Sequence, residues 1–199
     1  MRVYNGILPI VRVREDEWTA KKGFTLVYVG RLAPVKNLGL LLEAFHGALQ
    51  TEPNLSLWLV GDGSERQALE SSAQACGIAS KTTFWGEQID PAPFFSAADA
   101  FIMSSTSEGL PISLLQAFSI GLPAIVTDVG GMAEAVRLAK AGLIVSKTDS
   151  AEMTEAILRL AGNADERALF GENARAGFEA NFTLRAAVSA YAGLYAARR

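Results

Sequence analysis

The sequence predicts an open, doubly wound α/β domain, a Rossmann-like parallel sheet of about six strands with a helical C-terminal tail. Three observations predict it. Short apolar runs rich in β-branched residues recur up to residue 146, amphipathic helical segments fill the gaps between them, and beyond residue 150 only helical patterns follow. Apolar runs without polar alternation suit strands covered on both faces, as in a parallel sheet flanked by helices. In such a sheet ligands bind beyond the carboxyl ends of the strands, so function should lie in the loops that follow them.

Residues 1–22 hold Asn5-Gly6, Pro9 and the charged stretch RVREDEW, and read as a linker ahead of residues 23–199. Strands are expected at FTLVYVG (24–30), LSLWLVG (55–61), TTFWG (82–86), DAFIMSS (99–105), PAIVTD (123–128) and GLIVS (142–146). The first helix, NLGLLLEAFHGALQ, places Leu38, Leu41, Leu42, Phe45 and Leu49 on one face, and GSERQALESSAQACG repeats the pattern more weakly. Pro111 favours a helix start at about Gly109 to Pro111, running to Ile120. The tail comprises SAEMTEAILRLAG, ADERALFGENARAGFEANF and LRAAVSAYAGLYAARR.

Composition narrows the function. The 199 residues are 50% hydrophobic and 20% charged with net charge -3, which fits one well-cored domain and excludes a disordered chain. The acidic balance argues against a general nucleic-acid or membrane-surface binder. No apolar run reaches the roughly 20 residues of a bilayer span, and the N-terminus lacks a signal-peptide pattern. Cys76, the single cysteine, precludes an internal disulfide and reads as a small core hydrophobe at a helix end. His46, the single histidine, reads as a rim residue of its helix: no second histidine, cysteine or carboxylate stands at metal-ligand spacing from it.

Three post-strand loops carry candidate chemistry. After the first strand, Gly30 permits a turn and RLAPVK sets Arg31 and Lys36 at its two ends, with Pro34 keeping the loop from becoming helix. Two cations beside a helix N-terminus make a diphosphate clamp or a pair of solvated surface charges, and spacing alone leaves both readings open. After the second strand, Gly61-Asp62-Gly63 lacks the third glycine of a dinucleotide fingerprint, so a tight turn suffices to explain it. After the fourth, Glu108 stands before a nearly apolar helix. It either offsets the helix dipole or accepts hydroxyl hydrogen bonds from a ligand held by the amides of Gly109 and Leu110. Within that helix Gln116 calls for a polar partner.

With these segments in view, the chain resembles the C-terminal, nucleotide-sugar-binding domain of GT-B-fold retaining glycosyltransferases of family four. The resemblance runs through VYNGI (3–7), VGRLAPVKN, LVGDGSERQALE, FWG, SEGLPISLLQAF, GLPAIVTDVGGMAEAV and the terminal YAGLY. It implies that Arg31 and Lys36 hold the donor diphosphate and that Glu108 contacts the transferred sugar. Gly109 and Leu110 would lie near sugar and phosphate, while Gly30, Gly61 and Phe84 to Gly86 would shape the nucleoside pocket. The second glutamate of the family's pair, which binds ribose hydroxyls, is Gln116 here. The resemblance further implies a metal-free donor site, a saccharide or lipid-linked acceptor, and work in bacterial surface polysaccharide or lipopolysaccharide synthesis at the cytoplasmic side, peripheral to the inner face of the membrane. The family's N-terminal acceptor domain is absent, so the chain is expected to bind donor without turning it over. Exposed Tyr191, Leu194 and Tyr195 would mark where that domain docks. A non-catalytic nucleotide-sugar-binding or scaffold domain and a nucleotide-sugar epimerase of the same fold are the alternatives.

Overall fold

The computed structural model describes residues 4–12 and 23–196. Six parallel strands form one sheet: β1 (Phe24–Val29), β2 (Leu55–Val60), β3 (Thr82–Gly86), β4 (Ala100–Met103), β5 (Ala124–Thr127) and β6 (Gly142–Val145). Their spatial order is β3-β2-β1-β4-β5-β6, so the winding reverses between β1 and β4. A reversal splays the two following loops apart and opens a crevice at that point. β1 pairs with β2 from Phe24↔Leu55 to Val29↔Val60 and with β4 at Leu26↔Ala100 and Val27↔Phe101.

Helices α1 (Leu38–Leu49), α2 (Arg66–Ala75), α3 (Ala92–Ala97), α4 (Ile112–Ser119), α5 (Gly130–Ala139), α6 (Ser150–Gly162), α7 (Ala164–Asn181) and α8 (Leu184–Ala196) flank the sheet. α1 buries Leu38, Leu41, Leu42, Ala44, Phe45 and Ala48 and packs on α6, and α4 packs on α7. Every residue of β4 and β5 is buried, which is why their sequences carry no alternation. Local chemistry starts the tail helices: Asp149 Oδ1 accepts from the amides of Ala151 and Glu152, and Asn163 Oδ1 from that of Glu166, at 2.9, 3.1 and 3.0 Å.

Residues 4–12 lie along the tail. Ile7 exchanges backbone hydrogen bonds with Phe182 and Leu184, Tyr4 stacks edge-on against Phe182 at 5.4 Å, and the Ile10 amide donates to Ser119 Oγ. The rest of the predicted linker, residues 1–3 and 13–22, lies outside the described residues. On α8, Tyr191 and Tyr195 are exposed and Leu194 is half-buried.

Three local expectations are corrected. Cys76 is exposed rather than part of the core. The helix stops at Ala75, Gly77 turns at φ +72°, and the Ile78 amide reaches back to Ala73 O at 2.9 Å, so Ile78 rather than Cys76 is the buried residue at this helix end. Pro34 does not keep its loop from becoming helical: it starts a 3-10 turn, Pro34–Lys36, where its missing N–H costs nothing. Pro111 stays extended and precedes α4, which therefore begins at Ile112 and ends at Ser119.

Candidate functional site

The first, second and third post-strand loops interlock through glycine. The amides of Gly30, Leu32 and Gly61 donate to the carbonyls of Val60, Asp62 and Gly86 at 2.9, 2.9 and 2.7 Å. A Cβ at Gly61 would stand 2.0 Å from Gly30 O, and one at Gly63 would stand 2.2 Å from Leu32 O. Both glycines also have positive φ, so the turn reading of Gly61-Asp62-Gly63 has a definite cause. Arg66 braces this region, pairing with Asp62 and Glu70 at 2.9 Å each and donating to Phe84 O at 3.5 Å. The backbone N–H of Gly63, and then Arg66, hold the Asp62 carboxyl below its ordinary range.

These loops wall a cleft of about 510 Å³ lined by Gly30, Arg31, Gly61, Asp62, Glu87 and Pro91 among others, a volume ordinary for a small-ligand site. Arg31 is exposed, with its carbonyl held from below by the hydroxyl of Tyr28 at 2.9 Å. Tyr28 is fully buried. Burial first, and then the Glu108 charge, push its phenol above the ordinary range, while Arg31 opposes them. A second cleft of about 440 Å³ lies at the ends of β4 and β5 and is lined by Tyr4, Asn5, Gly109, Leu110, Gly130, Gly131 and Glu134.

Between the two, across the β1/β4 reversal, the Lys36 ammonium is ion-paired with the Glu108 carboxylate. Buried hydroxyls fix both partners. Ser104 Oγ lies 2.9 and 3.0 Å from the carbonyls of Lys36 and Asn37, Ser105 Oγ donates to Glu108 at 3.4 Å, and Thr127 Oγ1 donates to Ser105 O at 2.6 Å. Ser104, Ser105 and Thr127 are each 0% exposed. The Thr106 amide completes the tie by donating to Val35 O at 2.9 Å.

The predicted residues thus divide. Gly30, Arg31 and Gly61 line the first cleft, Gly109 and Leu110 the second, and Lys36 meets Glu108 between them. Phe84 and Gly86 lie behind the first cleft, whose wall is made by the residues after them, Glu87, Gln88 and Pro91. Gln116 lines neither cleft; it is half-buried on α4, and its side-chain amide makes no hydrogen bond to a described residue. His46 is half-buried with Nδ1 enclosed and unbonded. Sequence reading missed Tyr28, Ser104, Ser105 and Thr127. Two serines directly after an apolar strand were the available signal, since hydroxyls there must find backbone partners.

Comparison with known proteins identifies the family and the fold. Residues 12–177 match the family described as glycosyl transferases group 1. The chain is 31% identical over 170 residues to the lipopolysaccharide core biosynthesis glycosyltransferase LpsE of Rhizobium meliloti (strain 1021), covering 85% of this chain and 49% of that protein. The crystal structure of WaaG, a glycosyltransferase involved in lipopolysaccharide biosynthesis, superposes with a TM-score of 0.82 at 22% identity, over 94% of this chain and 54% of WaaG. Anabaena Alr3699/HepE, solved in complex with UDP, superposes with a TM-score of 0.80 at 22% identity, over 88% of this chain and 49% of that one. The chain spans about half the length of these proteins. With its six-stranded sheet reversing at β1/β4 and the family match running through the loops that carry Arg31, Lys36 and Glu108, the chain belongs to the group 1 glycosyltransferases, enzymes of GT-B fold.

Proposed function

We propose that the chain is the donor-binding half of a retaining glycosyltransferase that moves a sugar from a nucleotide-diphosphate sugar to a saccharide or lipid-linked acceptor in surface polysaccharide synthesis. The observation that carries this reading is the Lys36–Glu108 pair at the β1/β4 reversal, flanked by one cleft on the Arg31 side and another on the Gly109 side. The nucleoside occupies the first cleft against the strand ends of Gly61 to Gly63 and Glu87 to Pro91. The diphosphate meets Arg31 and Lys36, and the sugar lies by Glu108, Gly109 and Leu110.

In this reading the acceptor hydroxyl attacks from the face the diphosphate leaves. Negative charge grows on the departing oxygen, and preoriented cations next to it lower the barrier. Arg31 and Lys36 supply that charge, so the mechanism needs no metal. Acceptor binding and the remaining catalytic groups fall to another part of the protein, working on the cytoplasmic side at the membrane face. The UDP held by the HepE relative supports a uridine or related nucleotide as donor.

A thermal-shift panel of UDP, GDP, ADP and their sugar conjugates tests this. A ligand that binds only the folded chain at a hundredfold over its Kd adds about 2.7 kcal/mol of stability, a plain rise in Tm. No rise with any of them refutes the donor-site reading. The neutral Gln116 favours a second reading, a binding module without turnover, and sustained donor consumption by the full-length enzyme would exclude it.

A further inference from the structure

Lys36 and Glu108 are each largely enclosed, at 15% and 19% side-chain exposure, and each satisfies the other. Ser104 Oγ holds the Lys36 carbonyl and the Thr106 amide holds that of neighbouring Val35, while Ser105 Oγ bonds the Glu108 carboxylate itself, so a change of partner turns side chains on loops already tied together and gives up the Ser105 bond. An enclosed charge stripped of its counterpart is costly, so neither partner leaves the pair unless something replaces it. An anionic ligand replaces Glu108 for Lys36. What replaces Lys36 for Glu108 differs between ligands: an ionised carboxylate accepts hydrogen bonds only, a sugar offers it hydroxyl donors, and a terminal phosphate offers further negative charge.

We infer that the Lys36–Glu108 pair makes Glu108 a specificity-determining residue that selects a nucleotide sugar over the bare nucleoside diphosphate. This rests on the donor-site reading above and adds to it a discrimination between substrate and product. With donor bound, Lys36 turns to the diphosphate and Glu108 to the sugar hydroxyls. Once the sugar has left, Glu108 faces the diphosphate with no hydroxyls to accept, and Lys36 is drawn back to it. The same pair that closes the empty site therefore expels the product.

Calorimetric titration of this chain and its Glu108→Gln variant with UDP and UDP-glucose, GDP and GDP-mannose, and ADP and ADP-glucose tests the inference. The amide cannot hold Lys36 by charge, so Glu108→Gln should bind the bare diphosphate about three- to tenfold more tightly, the range expected for release of one partly enclosed pair. The sugar nucleotide should gain nothing or weaken, and the affinity ratio between the two should collapse. In a Lys36→Met background the same substitution should no longer tighten diphosphate binding, since the coupling has been removed. Should Glu108→Gln fail to fold, Glu108→Asp shortens the carboxylate away from Lys36 while keeping its charge, and it should shift the ratio in the same direction. Nucleotide binding with an unchanged ratio in the folded variant, or an equal gain for both ligands, overturns the inference alone. Absence of nucleotide binding in wild type and variants overturns the donor-site reading and the inference with it.

Discussion

Gly130 lies so close against Glu108 that a Cβ at residue 130 would stand 1.9 Å from the Glu108 carbonyl oxygen, and its φ of +48° is one an L side chain rarely adopts. The first turn of α5 thereby sets the height of the Glu108 loop. Gly130→Ala should cost more than about 2 kcal/mol, combining left-handed strain with a backbone clash, and should appear as a large fall in Tm. Gly131→Ala, whose Cβ would meet Gly109 O at 3.0 Å without a positive φ, should cost less.

Arg31 is exposed beside the first cleft and Lys36 is committed to Glu108, so their removal should differ in detail. Each alanine substitution should weaken nucleoside-diphosphate binding by about 1.5 to 3 kcal/mol, the worth of a hydrogen bond to a charged group. Lys36→Ala should also lower Tm, because it leaves an enclosed carboxylate unpaired, whereas Arg31→Ala should leave Tm unchanged. Calorimetry and thermal unfolding on the two variants check both statements; equal affinities across wild type and variants would remove both cations from the donor site, leaving Arg31 a surface charge and Lys36 the structural partner of Glu108.

Among the described residues nothing hydrogen-bonds the Gln116 side-chain amide, which sits half-buried on α4. If it accepts from ribose hydroxyls, Gln116→Glu should tighten nucleoside-diphosphate binding by about 0.5 to 1.5 kcal/mol through charge assistance, and Gln116→Leu should weaken it. Affinity unchanged in both variants, with Tm altered, would remove Gln116 from the donor site.

Tyr28 gives an alkaline signature. Burial raises its folded-state pKa above the usual value of 10.0, so its contribution to stability is complete below pH 10 and is lost as pH rises beyond it, when the unfolded chain ionises first. Stability should fall there with a slope of up to about 1.4 kcal/mol per pH unit from this group. Tyr28→Phe should remove that part of the slope in urea titrations from pH 9 to 11. The same variant frees Arg31 O and should weaken diphosphate binding at neutral pH, where ionisation plays no part.

The strands were legible because β4 and β5 are buried throughout and β1 everywhere but its last residue, Val29, and unbroken apolar runs have few other uses. Arg31, Lys36 and Glu108 were legible as charged residues in loops after such strands, and the family resemblance tied them to one ligand. Their mutual arrangement was not. The Lys36–Glu108 pair depends on β1 lying next to β4, a neighbour relation with no local signature. The buried hydroxyls of Ser104, Ser105 and Thr127 and the true end of α2 were hidden for a related reason: each is decided by a contact made elsewhere, a loop carbonyl in one case and Ile78 displacing Cys76 in the other.

The reversal of strand order also orders events as the chain folds. β1, β2 and β3 are consecutive and can build their side of the sheet, with the first cleft, from local pairings. The union of Lys36 with Glu108 must wait for closure of a long loop that brings β4 to the other edge of β1. On the donor-site reading a half-formed domain already carries Arg31 and Lys36 but lacks Glu108, so contact with the sugar, rather than with the phosphates, would report that the two halves of the sheet have met.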